Sequence, residues 1–199
     1  MKKPNSNTSP EPILFVLSGP SGVGKDAILS RMKALDIPLE FIVTVTTRPK
    51  RPGETDNVDY HFISNEEFKH LIECKDLFEH ACVYGNYYGV PARPVREALS
   101  QGQDVIAKVD VQGAATIKKL IPRGVFIFLM PPSMEELAAR LKKRRTESKE
   151  ALEKRLETAR DEIGRRSMFD YVVINEADRI DETVSQIQEI ISSEKGRAG

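Results

Sequence analysis

Apolar residues in this chain come as short unbroken runs, separated by stretches in which they recur every three or four positions. The run 13–18, ILFVLS, is continuous, as expected of a parallel strand covered on both faces. After a glycine-rich turn, Ala27, Ile28, Leu29, Met32 and Leu35 recur at helical spacing. Residues 40–47, EFIVTVTT, read as a second strand. The prolines and turn residues of RPKRPGETDNVDYHF (48–62) then break the pattern until YHFIS resumes it. Ser64 with Glu67 three residues on is a helix-start signature. Phe68, Leu71, Ile72 and Leu77 follow near helical spacing, and GNYYGVP (85–91) reads as a turn or hairpin.

From Arg93 the alternation of helix and strand returns. A short helix over PVREALSQ (94–101), a strand over DVIAKVDV (104–111), a helix from Gly113 to Leu120 and a strand over GVFIFLM (124–130) are predicted. Two charged helical stretches then fill 133–167, joined around Thr146, with Leu137, Leu141, Leu152 and Leu156 as one narrow apolar stripe. So little apolar contact fits a mobile lid. DYVVIN (170–175) is the last predicted strand, and Ile180 to Ile191 an amphipathic closing helix. Residues 1–12 hold three prolines and few apolar groups, which predicts a disordered leader.

Composition narrows the function classes. The 199 residues carry 30 Lys+Arg and 30 Asp+Glu, so no global field draws nucleic acid or an acidic membrane surface, and anion binding must be local. The longest apolar runs fall far short of the ~20 residues of a membrane helix. Cys74 and Cys82 form neither a disulfide framework nor a metal knuckle, and His61, His70 and His80 lack ligand spacing. A reducing cytoplasm fits best.

The sharpest chemical signal is GPSGVGKD, residues 19–26. It fits G-x-x-x-x-G-K-[ST] at all positions but the last, where Asp26 stands in place of a hydroxyl. Glycines let main-chain N–H groups wrap a phosphate, the helix N-terminus adds a positive dipole, and Lys25 supplies a charge. Gly19, Pro20, Ser21, Gly22, Val23, Gly24, Lys25 and Asp26 are thus the candidate phosphate loop. Arg48, Lys50 and Arg51 lie within four residues between prolines. By composition this is equally a solvated basic turn or a second anion site built on guanidinium forks.

SGPSGVGK, TTRPKRPGE, DYHF, FEH, GNYYG, DVQGA, RLKKRRT, KRL and VIN occur in an order and spacing that resemble guanylate kinases, from about Ile13 to about Ile191. The resemblance implies an α/β fold of the P-loop NTPase class: a three-layer core with a parallel sheet, an inserted GMP-binding subdomain and a helical lid. The expected boundaries are core 13–43, insert 44–92, core 93–135, lid 136–164 and core 165–199. It implies transfer of the ATP γ-phosphoryl group to GMP or dGMP, with Mg²⁺ accompanying ATP and an additional monovalent cation left open. ATP and GMP are then the partners, with no nucleic acid and no membrane.

By the same resemblance Arg48 and Arg51, with Tyr60 and Tyr88, clamp the GMP phosphate, while Glu79 and Thr44 read the guanine. Lys25, Arg48, Arg144 and Arg155 surround the transferring group, with Arg140 a weaker candidate. Asn175 contacts adenine, and Asp110 sits near the metal and GMP. Four positions depart from the family pattern: Asp26, Lys108 where an acid is usual, Val90 where a small hydroxyl residue is usual, and Arg145 in place of a lid glycine. Asp26 and Lys108 are expected to meet beneath the phosphates, either as an ion pair or with Asp26 taking a metal contact beside Asp110. The rival readings are a non-catalytic guanylate-kinase-like interaction module and a kinase for another monophosphate.

Overall fold

A computed structural model describes residues 11–143 and 149–198 of the chain. The leader up to Pro10 and the helix junction with Arg144, Arg145 and Thr146 lie outside the described residues.

Five parallel strands form the main sheet: β1 (Leu14–Ser18), β2 (Glu40–Ile42), β7 (Val105–Lys108), β8 (Val125–Met130) and β9 (Tyr171–Ile174), in the order β2-β7-β1-β8-β9. Alternation along β1 divides the core. Phe15 and Leu17 point into one apolar layer, with Met32 of α1 (Lys25–Ala34) and Ile187 of α7 (Ile180–Ala198). Leu14 and Val16 point into the other, with Val95 of α3 (Ala92–Ser100) and Ile117 of α4 (Val111–Leu120). All four β1 side chains are at most 3% exposed, which explains why the strand reads as an unbroken apolar run. The chain leaves β1 toward β2 on one side, and β8 joins on the other. The carboxyl end of β1 is therefore a switch point, where open parallel sheets place their ligand crevice.

A second sheet, in the order β4-β3-β6-β5, grows from the segment between β2 and α3. It comprises β3 (Val45–Thr46), β4 (His61–Phe62), β5 (Leu77–Val83) and β6 (Asn86–Pro91), with α2 (Asn65–Glu73) packed alongside. Two expectations change here. EFIVTVTT is split, because its first part pairs with β7 in the main sheet and its last part with β4 and β6 in the second. Leu77 belongs to a strand: α2 stops at Glu73, and Lys75 turns the chain with φ +57°. The capping box of Ser64 and Glu67 is present at the start of α2. β5 and β6 close through Tyr84 and Gly85, both at positive φ, the twist that a two-residue hairpin prefers.

Helices α5 (Met134–Lys143) and α6 (Lys149–Gly164) pack on each other through Leu137, Leu141 and Ala159, flanked by Met134, Leu152 and Leu156. This is the narrow stripe seen in the sequence, and it forms a cluster separate from the two core layers. α4 starts two residues earlier than predicted, because the Asp110 carboxylate caps it by accepting from the Gly113 N–H. Among the described residues no helix is long and apolar enough to cross a membrane.

The separate third cluster has a consequence for stability. Phe128→Ala, at a fully buried site of the main core, is expected to lower global stability in urea by about 3–5 kcal/mol. Leu137→Ala is instead expected to speed amide hydrogen exchange across α5 and α6 with a smaller loss of the global midpoint. Equal global losses from both substitutions would show that the helix pair unfolds only with the core.

Candidate active site

Beyond Ser18 the chain turns against β8. A Cβ on Gly19 would lie 2.3 Å from the Leu129 carbonyl oxygen, and one on Gly24 would lie 2.6 Å from the Asn175 amide nitrogen, both at positive φ. Only glycine fits these two places. Val23 is buried and closes the turn by donating its N–H to the Pro20 carbonyl at 3.2 Å. Lys25 opens α1 and folds back, with Nζ donating to the carbonyls of Gly19 at 2.5 Å and Pro20 at 3.3 Å. Burial lowers its pKa, against the pull of the carboxylates of Glu162, Asp26 and Asp110.

Facing the loop is the second sheet, and between them lies a cleft of about 470 Å³. Of the residues singled out from sequence, Gly19, Ser21, Gly22, Gly24, Lys25, Asp26, Thr44, Arg48, Arg51, Tyr60, Glu79, Tyr88, Asp110 and Arg155 all line it. The Arg48 guanidinium is buried and meets Glu54 in a two-pronged pair at 2.8 and 3.0 Å, while Glu54 also accepts the Arg51 N–H at 2.8 Å. Arg48 and Arg51 are thus brought to one wall, with Glu54 as their local counter-ion. The rings of Tyr60 and Tyr88 meet edge to face on the same wall, and Arg48 lies 5.2 Å from the Tyr60 centroid.

Deeper in the cleft, Glu79 of β5 is 5% exposed and Thr44 3%. Glu79 Oε2 and Thr44 Oγ1 are both buried without a hydrogen-bond partner among the described residues. Such atoms are costly unless a ligand supplies their partners. Burial, reinforced by the nearby Asp110 charge, pushes the Glu79 carboxyl up to about 8. Gly113 makes room for it, since a Cβ there would fall 2.4 Å from Glu79 Oε2.

Asp26 and Lys108 meet as an ion pair. The Lys108 ammonium also donates to the Asp59 carbonyl at 3.3 Å and lies 3.7 Å from the centre of the Tyr60 ring. Burial disfavours its charge, but Tyr60 and Asp26 outweigh that and raise its pKa. From the helix pair, Arg155 of α6 donates to Ser21 Oγ at 2.8 Å and lies 5.8 Å from the Tyr84 ring centre. It therefore touches both the loop and the tip of the β5–β6 hairpin.

Three expected positions sit elsewhere. Asn175 is buried under the loop, where its amide donates to the Val23 carbonyl at 2.7 Å and its Oδ1 accepts from Thr183 at 3.2 Å. Arg140 clamps the same place, donating to the carbonyls of Val23 at 3.0 Å and Asn175 at 2.7 Å. Val90 is fully buried in the core layer of α3 and α4 rather than on the cleft wall. Glu54 and Glu162 were not singled out from sequence. Glu54 closes the motif TTRPKRPGE, and its spacing of six from Arg48 was the available signal. Glu162 lies on a charged helix with nothing in the sequence to separate it from its neighbours; in the fold it lines the cleft, and burial raises its pKa against the pull of Lys25, with Asp110 adding to the rise.

Residues 11–194 match the family model described as guanylate kinase. A guanylate kinase of Oceanobacillus iheyensis is 46% identical over 92% of this chain and 87% of its own length. "Guanylate kinase 2, chloroplastic/mitochondrial" of Oryza sativa subsp. japonica is 44% identical over 94% of this chain, which spans 66% of that longer protein. The crystal structure of guanylate kinase from Anaplasma phagocytophilum superposes with a TM-score of 0.74 at 35% identity, covering 94% of this chain and 87% of that one.

The Glu79 carboxyl yields a pH test. With a folded-state pKa of about 8 against an ordinary 4.5, the folded chain holds a proton that the unfolded chain releases, so stability falls as pH rises from about 5 through 8. Glu79→Gln removes this cost. Its thermal midpoint is expected to match the parent near pH 5 and exceed it above pH 8, by the equivalent of on the order of a few kcal/mol. A gain independent of pH would mean that the carboxyl is already charged in the fold.

Proposed function

The chain belongs to the guanylate kinase family, and on that footing we propose that it transfers the γ-phosphoryl group of ATP to GMP. The observation that carries this reading is the pairing, across one cleft, of a glycine loop holding Lys25 with a wall of Arg48, Arg51, Tyr60 and Tyr88. Behind that wall, two buried polar atoms of Glu79 and Thr44 lack partners among the described residues. ATP phosphates lie on the loop amides and Lys25. The GMP phosphate lies against the arginines and tyrosines. Ionised Glu79 accepts from the guanine N1–H and exocyclic amine, whereas adenine offers no proton at N1 and would leave the carboxylate unpaired.

The donor set also fits magnesium. Asp26 and Asp110 line the cleft beside the loop, and one or two carboxylates with phosphate oxygens and water are an ordinary octahedral set for this ion. Magnesium bound there would neutralise developing charge on the β- and γ-phosphate oxygens. Asp110 spends one oxygen on the helix cap, and would take part in such a set through its other oxygen.

A loose phosphoryl-transfer transition state needs aligned groups and positioned cations more than covalent help. The GMP phosphate is already an anionic nucleophile, so no general base is needed. Lys25 and Arg155 supply charge from the loop and from α6. Arg144, the other arginine drawn from the family resemblance, lies outside the described residues. We take α5 and α6 as the lid that excludes water over the cleft, with segment 44–92 as the GMP-binding part. An intact loop with Lys25 in place, together with the named relatives, favours an enzyme over an interaction module.

The test is steady-state and single-turnover transfer from ATP to a panel of GMP, dGMP, AMP, UMP and CMP with magnesium. Transfer to GMP is expected to dominate, and Lys25→Met or Arg155→Ala to lower kcat by about 10²-fold or more. Glu79→Gln is expected to cost GMP far more than AMP. Calorimetry at pH 7 in buffers of differing ionisation enthalpy is expected to show proton release on GMP binding, because Glu79 must ionise. No transfer to GMP, or equal transfer to AMP, would overturn the reading.

A further inference from the structure

Lys108 touches with its charged group both the first turn of the helix that follows the phosphate loop and the wall that faces it. Its carbon stem belongs to β7 of the main sheet. Its ammonium pairs with Asp26 on the first turn of α1 and reaches the backbone of Asp59 and the face of Tyr60. The two partners of the ion pair differ in access to water. The Lys108 side chain is 9% exposed and that of Asp26 48%. A carboxylate at that exposure can change partners at small cost, while a buried ammonium that loses its anion must find another.

We propose that Lys108 is a shared cation that couples the two nucleotide sites. In the ligand-free chain Asp26 neutralises it. When ATP occupies the loop with magnesium, the Asp26 carboxylate turns toward that cation and no longer balances Lys108. The buried ammonium then needs another anion from the cleft, whose lining it shares with Arg48 and Tyr60. The GMP phosphate is that anion. ATP with magnesium therefore tightens GMP binding, and by thermodynamic reciprocity GMP tightens ATP by the same factor. This inference deepens the guanylate kinase reading and rests on it, since the anion that replaces Asp26 is taken to be the GMP phosphate.

The coupling also accounts for the paired departure at positions 26 and 108. Either substitution alone leaves an uncompensated charge at the loop: an acid facing phosphate, or a buried base without an anion. Together they make a neutral pair whose partners can be exchanged. Lys108 is thus a positioning residue for GMP, and the hand-off moves no covalent bond and no proton.

Binding separates the coupling from catalysis. GMP affinity is measured by calorimetry on the full chain in four conditions: alone, with magnesium alone, with a non-hydrolysable ATP analogue in EDTA, and with analogue plus magnesium. In the parent chain only the last is expected to tighten GMP, by about fivefold or more. Asp26→Asn is expected to bind GMP tightly already without analogue, with the enhancement gone. Lys108→Met is expected to bind GMP with the same affinity in all four conditions, and the double variant to behave as Lys108→Met. Enhancement of the same size in Lys108→Met and the parent would overturn the proposal, as would an Asp26→Asn chain that binds GMP no more tightly than the parent. Should Asp26→Asn fail to fold, the Lys108→Met comparison decides alone, because it removes a buried charge and leaves its partner carboxylate half in water. Failure of the parent chain to bind GMP at all would instead refute the guanylate kinase reading.

Discussion

The approach of one backbone to another governs this site. At the end of β1 the chain passes so close to the Leu129 carbonyl that no side chain fits at Gly19, and the turn that follows inherits its position from that contact. Because β1 and β8 are central strands with their side chains buried on both faces, the contact sits on the most rigid part of the fold. Asn175 and Arg140 then hold the loop from behind through the Val23 carbonyl. Lys25 and the α1 terminus are thereby aimed into the cleft by packing rather than by any charge they carry. The electrostatics are laid over a frame that apolar burial has already set.

Charge in the cleft is arranged in balanced pairs. Arg48 meets Glu54, Lys108 meets Asp26, and Lys25 lies among Glu162, Asp26 and Asp110. A fold that left these cations bare would carry a desolvation cost at every one of them. Glu79 is the exception: its nearest charged influence is another acid, and it answers by holding its proton. The polar machinery is thus tolerable to the empty fold, and Glu79 and Thr44 are among the buried groups that still lack a partner among the described residues.

Much of this was legible in the chain. The continuous run ILFVLS read as a doubly covered strand, and the glycine loop between it and a helix carried its own structural context. The capping box of Ser64 and Glu67 marked α2 because it rests on local hydrogen bonds. Tertiary placement was less visible. EFIVTVTT has one uniform pattern yet serves two sheets, and the break depends on partners far along the chain. Leu77 continued a helical spacing across Cys74 and Lys75, where no glycine or proline signalled the stop. Asn175 was drawn from motif alone, but a side chain's direction depends on which neighbours surround it: the fold sets its amide against the Val23 carbonyl beneath the loop, while Val90 completes a core layer. Asp26 and Lys108 were visible as paired oddities, while the contact of Lys108 with the second sheet needed the fold to bring Tyr60 and Asp59 across.

The Arg48–Glu54 fork has an effect that reaches past stability. A guanidinium already engaged at both prongs by its own loop presents little net attraction to passing anions. Chloride, or a stray carboxylate from the cellular milieu, gains too little to break a two-pronged bond. On the proposed reading of the site, a dianionic phosphate that simultaneously meets Arg51 and the phenols of Tyr60 and Tyr88 would gain enough. On that reading the resident glutamate would act as a gatekeeping competitor, setting a threshold of charge and shape that an incoming molecule must exceed before the pocket admits it.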